Sequence, residues 1–224
     1  MRDGEKARLS ILDAAEALFA AASFDTVSIR DVAAKADVPL GLINYHFQSK
    51  EKLFEAIIAR RSAELNARRR EAYVALQGKP QIRQVIEVFL KPYLELVMSG
   101  GAGWRAYGRL LAHTGQQQRW AGLISRQFKE TQDIFFEALQ RAEPGISREA
   151  AARGYVHMLS VMVGLFAANE SLSLVSRRAY SGRDLQRAYD FVLPFLVGAF
   201  EGLARDGAPP DSPRPPPKAT PKRR

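Results

Sequence analysis

Residues 28–53 read SIRDVAAKADVPLGLINYHFQSKEKL, and they predict two short helices, a tight turn between them and the start of a longer third helix. Ser28, followed three residues later by Asp31, forms an acidic capping box, a pattern that favours a helix start. Pro39 suits the first turn of the next helix because it has no backbone N–H to leave unpaired there. This order of elements is typical of a helix-turn-helix, whose second helix can enter the major groove of DNA.

The second short helix has one apolar anchor face. Ile43 and Phe47 are four residues apart, so they lie on the same side and are predicted to point inward. Ser49 is predicted to cap the third helix, and Asp37 falls where the first short helix should end. The side chains predicted to lie mainly on the other flanks are Leu40, Leu42, Asn44, Tyr45 and His46.

At this point the segment resembles the TetR family of bacterial transcriptional regulators. The family pattern Thr/Ser-x-Arg-Asp-Ile-Ala is matched by SIRDVA at residues 28–33, and its Ala-Gly-Val-Ser by ADVP at residues 36–39. The aromatic ending NYHF at residues 44–47 and the SKEKL at residues 49–53 complete the match. Upstream, ILDAAEALF at residues 11–19 is similar to the first helix of the family. The similarity covers about residues 5–60, a quarter of the chain.

Two positions depart from the family pattern. Asp37 replaces the usual turn glycine, and Pro39 replaces the usual serine cap. Asp adopts a left-handed conformation more easily than most other residues, so the turn is compatible with Asp37. The resemblance implies an all-α fold with a three-helix helix-turn-helix domain at residues 1–48. It also implies a helical effector-binding and dimerisation domain at residues 49–206.

The resemblance further implies a ligand-responsive repressor that binds an inverted-repeat operator as a homodimer and is released by a small apolar or amphipathic effector. Family-type contacts to phosphate are expected from Tyr45, Lys50 and Ser28. Three alternatives stay open: Tyr45 packs on the first helix, Lys50 is a solvated helix-start residue, and His46 is a structural residue. The expected DNA-binding residues are Ser28, Arg30, Pro39, Leu40, Gly41, Leu42, Asn44, Tyr45, His46 and Lys50.

Apolar periodicity beyond residue 49 predicts helices almost throughout. Pro92 should bend or split the second of them, and the glycine-rich run at residues 100–103 is predicted to be a break. Residues 207–224 are rich in proline and basic side chains and are predicted to be a disordered tail. The predicted helices cover residues 49–77, 81–98, 104–113, 116–142, 147–174 and 184–204.

Two late helices, within residues 147–174 and 184–204, are more apolar than a surface helix requires. A helix that is apolar on most sides must be covered on most sides. A second copy of the chain, paired by two-fold symmetry into a four-helix interface, would provide that cover. The alternative is an internal core. The resemblance favours the dimer, because members of the family pair through these helices.

The resemblance also implies an effector pocket inside the second domain. Such pockets are mainly apolar with a few polar anchors. Aromatic and methionine side chains at helical spacing are also typical of a plain core, which is the alternative for each residue. Some of these residues look similar to those of a subgroup that responds to fatty-acid-type effectors. The candidate lining residues are Phe89, Tyr93, Trp104, Tyr107, Leu111, His113, Phe128, Met158, Met162, Phe166 and Asn169.

Composition excludes several other classes of protein. The absence of cysteine rules out disulfides and cysteine catalysis and fits a cytoplasmic location, and no signal peptide or membrane span is predicted. The three histidines lack metal-ligand spacing, so neither an enzyme nor a metal or cofactor is expected. The net charge is +9, yet residues 1–62 hold nine basic and nine acidic side chains, so charge alone does not indicate DNA binding. The alternative function is a helical small-molecule-binding or scaffolding protein that does not touch DNA.

Overall fold

The computed structural model describes residues 3–114, 117–166 and 170–205, apart from the side chains of Asp3, His113 and Phe166. Asn169 and the predicted tail at residues 207–224 lie outside the described residues. Over the described ranges the chain is all-α, as predicted, without a strand. The helices are α1 (Asp3–Ala21), α2 (Ile29–Ala36), α3 (Leu40–Phe47), α4 (Lys50–Val74), α5 (Ile82–Ser99), α6 (Gly101–Thr114), α7 (Gln118–Ala142), α8 (Arg148–Phe166), α9 (Ser171–Val175) and α10 (Leu185–Arg205).

The capping box predicted at the start of α2 is present. The Asp31 N–H donates to Ser28 Oγ at 3.1 Å, and the Ser28 N–H donates to Asp31 Oδ2 at 2.8 Å. At the other end, Asp37 has a φ of 54° and a ψ of 50°, which is the left-handed conformation. Asp37 therefore adopts the left-handed conformation expected of the glycine in the family pattern, and the chain turns directly into α3.

The start of α3 and the start of α4 follow from local sequence. Pro39 precedes α3 with an extended backbone, and its carbonyl accepts from the Leu42 N–H at 2.9 Å. Ser49 caps α4 as predicted, because its Oγ accepts from the Lys52 N–H at 3.1 Å. The start signals at Pro39 and Ser49 lie close together in the sequence, so the helix between them, α3, has only eight residues.

The later helices differ in detail from the predictions. Pro92 is buried inside α5 and the helix continues through it, so the predicted split is wrong; the apolar packing on either side holds the segment helical. The glycine-rich break is confined to Gly100, since α6 already begins at Gly101. The Trp104 indole packs against Gly100 where a Cβ would lie, so this close contact needs a glycine. The segment predicted as one helix to residue 174 is interrupted, because Glu170 lies outside a helix between α8 (Arg148–Phe166) and the separate α9, which buries none of its residues.

The first three helices do not stand apart from the rest of the molecule. α1 packs against α2 and α4, and it also packs along α6. A second group forms where α5 contacts α4, α6, α7, α8 and α10, and where α8 contacts α6 and α10. One apolar core runs through both groups, from Ile11 in α1 to Phe200 in α10. α6 therefore packs directly against α1 and connects it to the second group.

Candidate functional site

α3 has one face buried against the protein and the opposite face exposed to solvent. Ile43 and Phe47 are buried, which confirms the predicted inward face. Tyr45 is 80% exposed, and Leu40 and Asn44 are exposed beside it. Gly41 faces open space, because a Cβ built on it meets nothing within 4 Å. The helix thus presents an aromatic, an amide and an aliphatic side chain on one protruding surface.

The remaining predicted DNA-binding residues surround this surface. Arg30 and Pro39 are exposed, and Leu42 is half-buried. His46 is half-buried too, with its ring edge-on to Tyr45 at 5.2 Å and its Nε2 without a hydrogen-bond partner in the described structure. The His46 Nε2 is itself buried, so of this pair only the exposed Tyr45 is available to a ligand that approaches α3.

Lys50 and Ser28 are already engaged by the protein. The Lys50 Nζ lies over the Phe24 ring at 4.4 Å, a cation–π contact that fixes the ammonium beside α3. The Ser28 hydroxyl donates to Asp31 Oδ2 at 2.7 Å. Hydrogen bonds from the Ser28 hydroxyl and backbone hold the pKa of Asp31 below its usual value, and the charge of Lys50 adds to this. A phosphate contact from Ser28 would have to share its hydroxyl with the cap.

A buried ion network joins α1 to α4 and α6. Glu16 is 1% exposed; its Oε2 accepts from Arg60 Nη2 at 2.8 Å and from Arg61 Nη2 at 2.6 Å. Its Oε1 accepts from Arg61 Nε at 2.8 Å, and this hydrogen bonding raises the pKa of Arg61. The Arg61 guanidinium lies 5.3 Å from the Trp104 ring of α6. Asp13 of α1 also pairs with Arg60 at 2.8 Å.

A second junction lies where α7 meets the segment before α2. The Trp120 ring packs against Phe24 at 4.9 Å and Phe54 at 4.4 Å between centroids. Arg119 Nη1 donates to Asp25 Oδ1 at 2.8 Å at the surface of the same junction. The segment that carries α2 and α3 is therefore held by two sets of contacts to the larger helical group.

The predicted effector-pocket residues fall into two groups. Most of them lie in the core of the second helical group, where Tyr93, Trp104 and Tyr107 form mutual edge-on contacts between 5.5 and 6.5 Å. Phe128 is half-buried, and His113, Phe166 and Asn169 cannot be placed, since their side chains lie outside the description. The fully or nearly buried members are Phe89, Tyr93, Trp104, Tyr107, Leu111, Met158 and Met162.

Sequence reasoning missed the charged group at the centre of this region. Arg69 of α4 is 1% exposed, and its Nε donates to the Phe89 carbonyl at 2.9 Å. Its guanidinium lies 3.7 Å from the Phe89 ring centroid, and Nη2 is 3.7 Å from Met162 Sδ. The spacing did carry a signal, because Arg69 continues the buried stripe of Leu65 and Tyr73 at four-residue intervals.

No carboxylate neutralises Arg69 among the described residues. Burial lowers the pKa of Arg69, although an arginine stays protonated in proteins. Burial raises the pKa values of Tyr73, Tyr93 and Tyr107, so these phenols are neutral. The hydroxyls of Tyr73 and Tyr107 have no hydrogen-bond partner in the described structure. The region therefore holds one buried cation and two unsatisfied hydroxyls.

An open groove of about 740 Å³ runs between the end of α4 and α7 and reaches the edge of this region. None of the predicted pocket residues lines it. Tyr73 connects the groove to the region around Arg69, since it lines the groove and follows Arg69 by one helical turn. The side chains that line the groove include Arg70, Tyr73, Val74, Ile134, Ala138 and Arg141.

Large apolar side chains remain exposed on the late helices. Phe191 and Phe195 of α10 are 77% and 60% exposed, and they lie four residues apart on one face. Val156 of α8, which packs beside α10, is also exposed. In the part of the chain that the structure describes, no helix is long and apolar enough to cross a membrane, and no cluster of three potential metal ligands occurs.

Two family models match this chain, one over its N-terminal helices and one over its later helices. Residues 11–57 match the bacterial regulatory proteins of the tetR family, and residues 87–199 match the tetracyclin repressor-like C-terminal domain. The HTH-type transcriptional regulator SrpR of Pseudomonas putida is 23% identical over 209 residues, which cover 91% of this chain and 88% of SrpR.

Solved structures with a similar fold cover most of the chain. GusR of Salmonella enterica is 18% identical, with a TM-score of 0.62, and the match covers 90% of this chain and 98% of GusR. FadR of Bacillus subtilis, a transcriptional regulator solved in complex with stearoyl-CoA, is 14% identical with a TM-score of 0.64. That match covers 85% of this chain and 98% of FadR.

Proposed function

The chain belongs to the TetR family of bacterial transcriptional regulators, and from this we propose that it is a homodimeric repressor, released from an inverted-repeat operator by a small apolar or amphipathic effector. Residues 1–48 read the DNA, and residues 49–206 bind the effector and form the dimer. Its proposed location is the cytoplasm, where the DNA lies. The observation that carries the proposal is the protruding surface of α3, with Tyr45 exposed above two buried anchors.

The side chains of this surface divide by chemistry into positioning and reading groups. Tyr45 and Lys50 contact phosphates, which fixes the position of α3 on the duplex. Asn44 is the base reader, because an amide can pair with both N6 and N7 of adenine. Leu40 offers an apolar contact to a thymine methyl. His46, half-buried between Tyr45 and Phe47, supports the flank of the surface.

The dimer forms through α8 and α10. Phe191, Phe195 and Val156 supply an apolar face of the kind that a self-complementary two-fold interface covers. Two copies of α3 then meet successive major grooves on one side of the duplex. Size measurement by light scattering should give a dimer for the wild type and a monomer for Phe195→Asp. Val175→Asp, at an exposed apolar position on α9, is the control and should stay dimeric.

Effector binding reaches the DNA through α6. Trp104 and Tyr107 of α6 line the aromatic region, and Trp104 also touches the Arg61–Glu16 network on α1. An effector that favours another position of α6 therefore favours another spacing of the two α3 helices. The operator affinity falls by at most the ratio of the effector's affinities for the two arrangements.

DNA capture tests the proposal most directly. Fragments of the source genome retained by the purified protein are sequenced, and the enriched site is then titrated at several salt concentrations. We expect an inverted repeat whose affinity falls steeply with salt, because phosphate contacts release counterions. If no fragment is enriched above background, the chain does not read DNA and the proposal fails.

A matched pair of double variants tests the site. Tyr45→Ala with Lys50→Ala should weaken binding, and it should flatten the salt dependence by about one unit for each lost Lys50–phosphate contact, because the uncharged Tyr45 releases no counterion. Tyr180→Ala with Lys129→Ala removes an exposed tyrosine and an exposed lysine far from α3 and should bind like the wild type. Equal binding by both double variants would refute the assignment of the site to α3.

A further inference from the structure

Arg69 is a buried positive charge without a negatively charged partner among the described residues. A buried cation is costly unless a counter-charge or several hydrogen bonds compensate it. Within the described residues its recorded contacts are the Phe89 carbonyl, the Met162 sulfur and the faces of aromatic rings. None of these carries a negative charge. By contrast, the buried Glu16 has two arginines around it, so the protein does pair buried charges elsewhere.

The groups around Arg69 have the same chemical requirement. The Tyr73 and Tyr107 hydroxyls are buried donors without a partner in the described structure. A guanidinium and two phenols all donate hydrogen bonds, and a carboxylate accepts from each of them. A bound carboxylate would therefore compensate the charge and accept from each hydroxyl that it reaches, whereas a neutral alcohol would leave the charge of Arg69 uncompensated.

We infer that the effector of this regulator is an amphipathic monocarboxylate, and that Arg69 is the residue that binds its headgroup, with Tyr73 and Tyr107 as additional donors. This inference rests on the proposed function, since it specifies the ligand of the same effector site. The apolar part of the ligand packs on the aromatic side chains nearby. Phe89 and Phe135 with Tyr155 form one such cluster, with ring centroids 5.3 to 5.6 Å apart.

The groove between α4 and α7 gives the ligand a way in. Tyr73 lines that groove, and its side chain lies one turn along the same face of α4 as Arg69. Rotation of the Tyr73 ring would open the groove toward the guanidinium. The groove is lined by Arg70, Arg141 and Glu137, and Arg70 pairs with Glu130 at 3.0 Å, so the charge that selects an anion is that of Arg69 and not that of the rim.

Calorimetry with matched acids and alcohols tests the inference without DNA. The probes are decanoate and 4-phenylbutanoate, and their neutral counterparts are decan-1-ol and 4-phenylbutan-1-ol. The wild type should bind at least one acid more than about tenfold more tightly than its alcohol, because hydrogen bonds to a buried charge discriminate by about this factor or more. If neither acid binds, or if each acid and its alcohol bind equally, the inference is wrong.

Variants locate the headgroup. Arg69→Met keeps the length and the apolar stem of the side chain, and it should bring the acid-to-alcohol preference down to about threefold or less. Arg68→Met, at the exposed neighbouring position, is the control and should keep the preference of the wild type. Retention of the full preference by Arg69→Met would overturn the inference.

A second variant keeps the test decisive if Arg69→Met does not fold. Tyr107→Phe removes one oxygen, and it should weaken acid binding several-fold while leaving alcohol binding unchanged. Unchanged acid binding would contradict the proposed donor set. These assays are independent of the operator, so a chain that retains specific DNA but shows no preference for acids refutes the ligand class alone.

Discussion

Replacing Glu16 with glutamine should destabilise the protein strongly. Glu16 accepts three charge-assisted hydrogen bonds, one from Arg60 and two from Arg61, in a position that is almost fully buried. Glutamine has nearly the same shape, yet it replaces one acceptor oxygen with an NH₂ group that faces a guanidinium. The substitution therefore changes charge and hydrogen bonding at constant volume.

The magnitude follows from the number of bonds and the exposure of the partners. A hydrogen bond to a charged group contributes about 1.5–3 kcal/mol, and removing one partner of a buried ion pair costs about 3–5 kcal/mol. The side chains of Arg60 and Arg61 are 22% and 16% exposed, so water recovers part of the loss. We expect a loss of about 2–3 kcal/mol in the free energy of unfolding. For a chain of this length that lowers the Tm by roughly 5–10 °C.

Urea unfolding followed by circular dichroism at 222 nm measures this difference. Glu130→Gln is the control, because Glu130 pairs with Arg70 at 3.0 Å on the surface, where such pairs contribute about 0–1 kcal/mol. Glu16→Gln should therefore lose clearly more stability than Glu130→Gln. Equal losses for the two variants would refute the claim that the buried network holds α1 to α4.

Three further substitutions test local features. Ser28→Ala should cost about 1 kcal/mol by removing the cap of α2, and in an NMR titration it should raise the pKa of Asp31, which the cap holds below its ordinary value. Because the pKa of Asp31 is lower in the folded state, the ionised Asp31 stabilises the fold at pH values above its unfolded-state pKa. This stabilisation is lost as the pH falls through the folded-state pKa of Asp31. Asp37→Gly should stabilise by up to about 1 kcal/mol, since glycine adopts the left-handed conformation without strain; lower stability in urea would contradict this. Gly154→Ala places a Cβ 2.8 Å from the Phe200 ring, and overpacking of about 1–3 kcal/mol should exceed the gain of about 1 kcal/mol in helix propensity; an unfolding free energy at or above that of the wild type would contradict this.

Local signals explain why the first part of the fold could be predicted. The Ser28 and Ser49 caps act within one helical turn, and the left-handed Asp37 needs no distant partner. The inward placement of Ile43 and Phe47 follows from their four-residue spacing alone. The apolar character of the late helices also predicted surface that needs cover, and Phe191 and Phe195 are exposed there.

Features set by contacts between distant residues could not be predicted. Pro92 stays inside a helix because buried neighbours hold α5 together, and propensity alone gives no measure of that packing. The close approach of Trp104 to Gly100, which limits the glycine break, depends on how α5 meets α6. Arg69 lies in a run of three arginines, a sequence pattern typical of the protein surface. It is buried only because α4, α5 and α8 meet around it. Which residues read the DNA stays a prediction.

The positions of the two tryptophans make the protein its own optical reporter. Trp104 lies beside Arg61, where α6 meets α1 and α4, and Trp120 lies against Phe24 and Phe54, where α7 meets the chain before α2. The sequence contains no other tryptophan. Trp104→Phe leaves emission from one junction only, and Trp120→Phe leaves emission from the other. Either variant, without a label, would show in real time which of the two connections responds first when a small molecule is added.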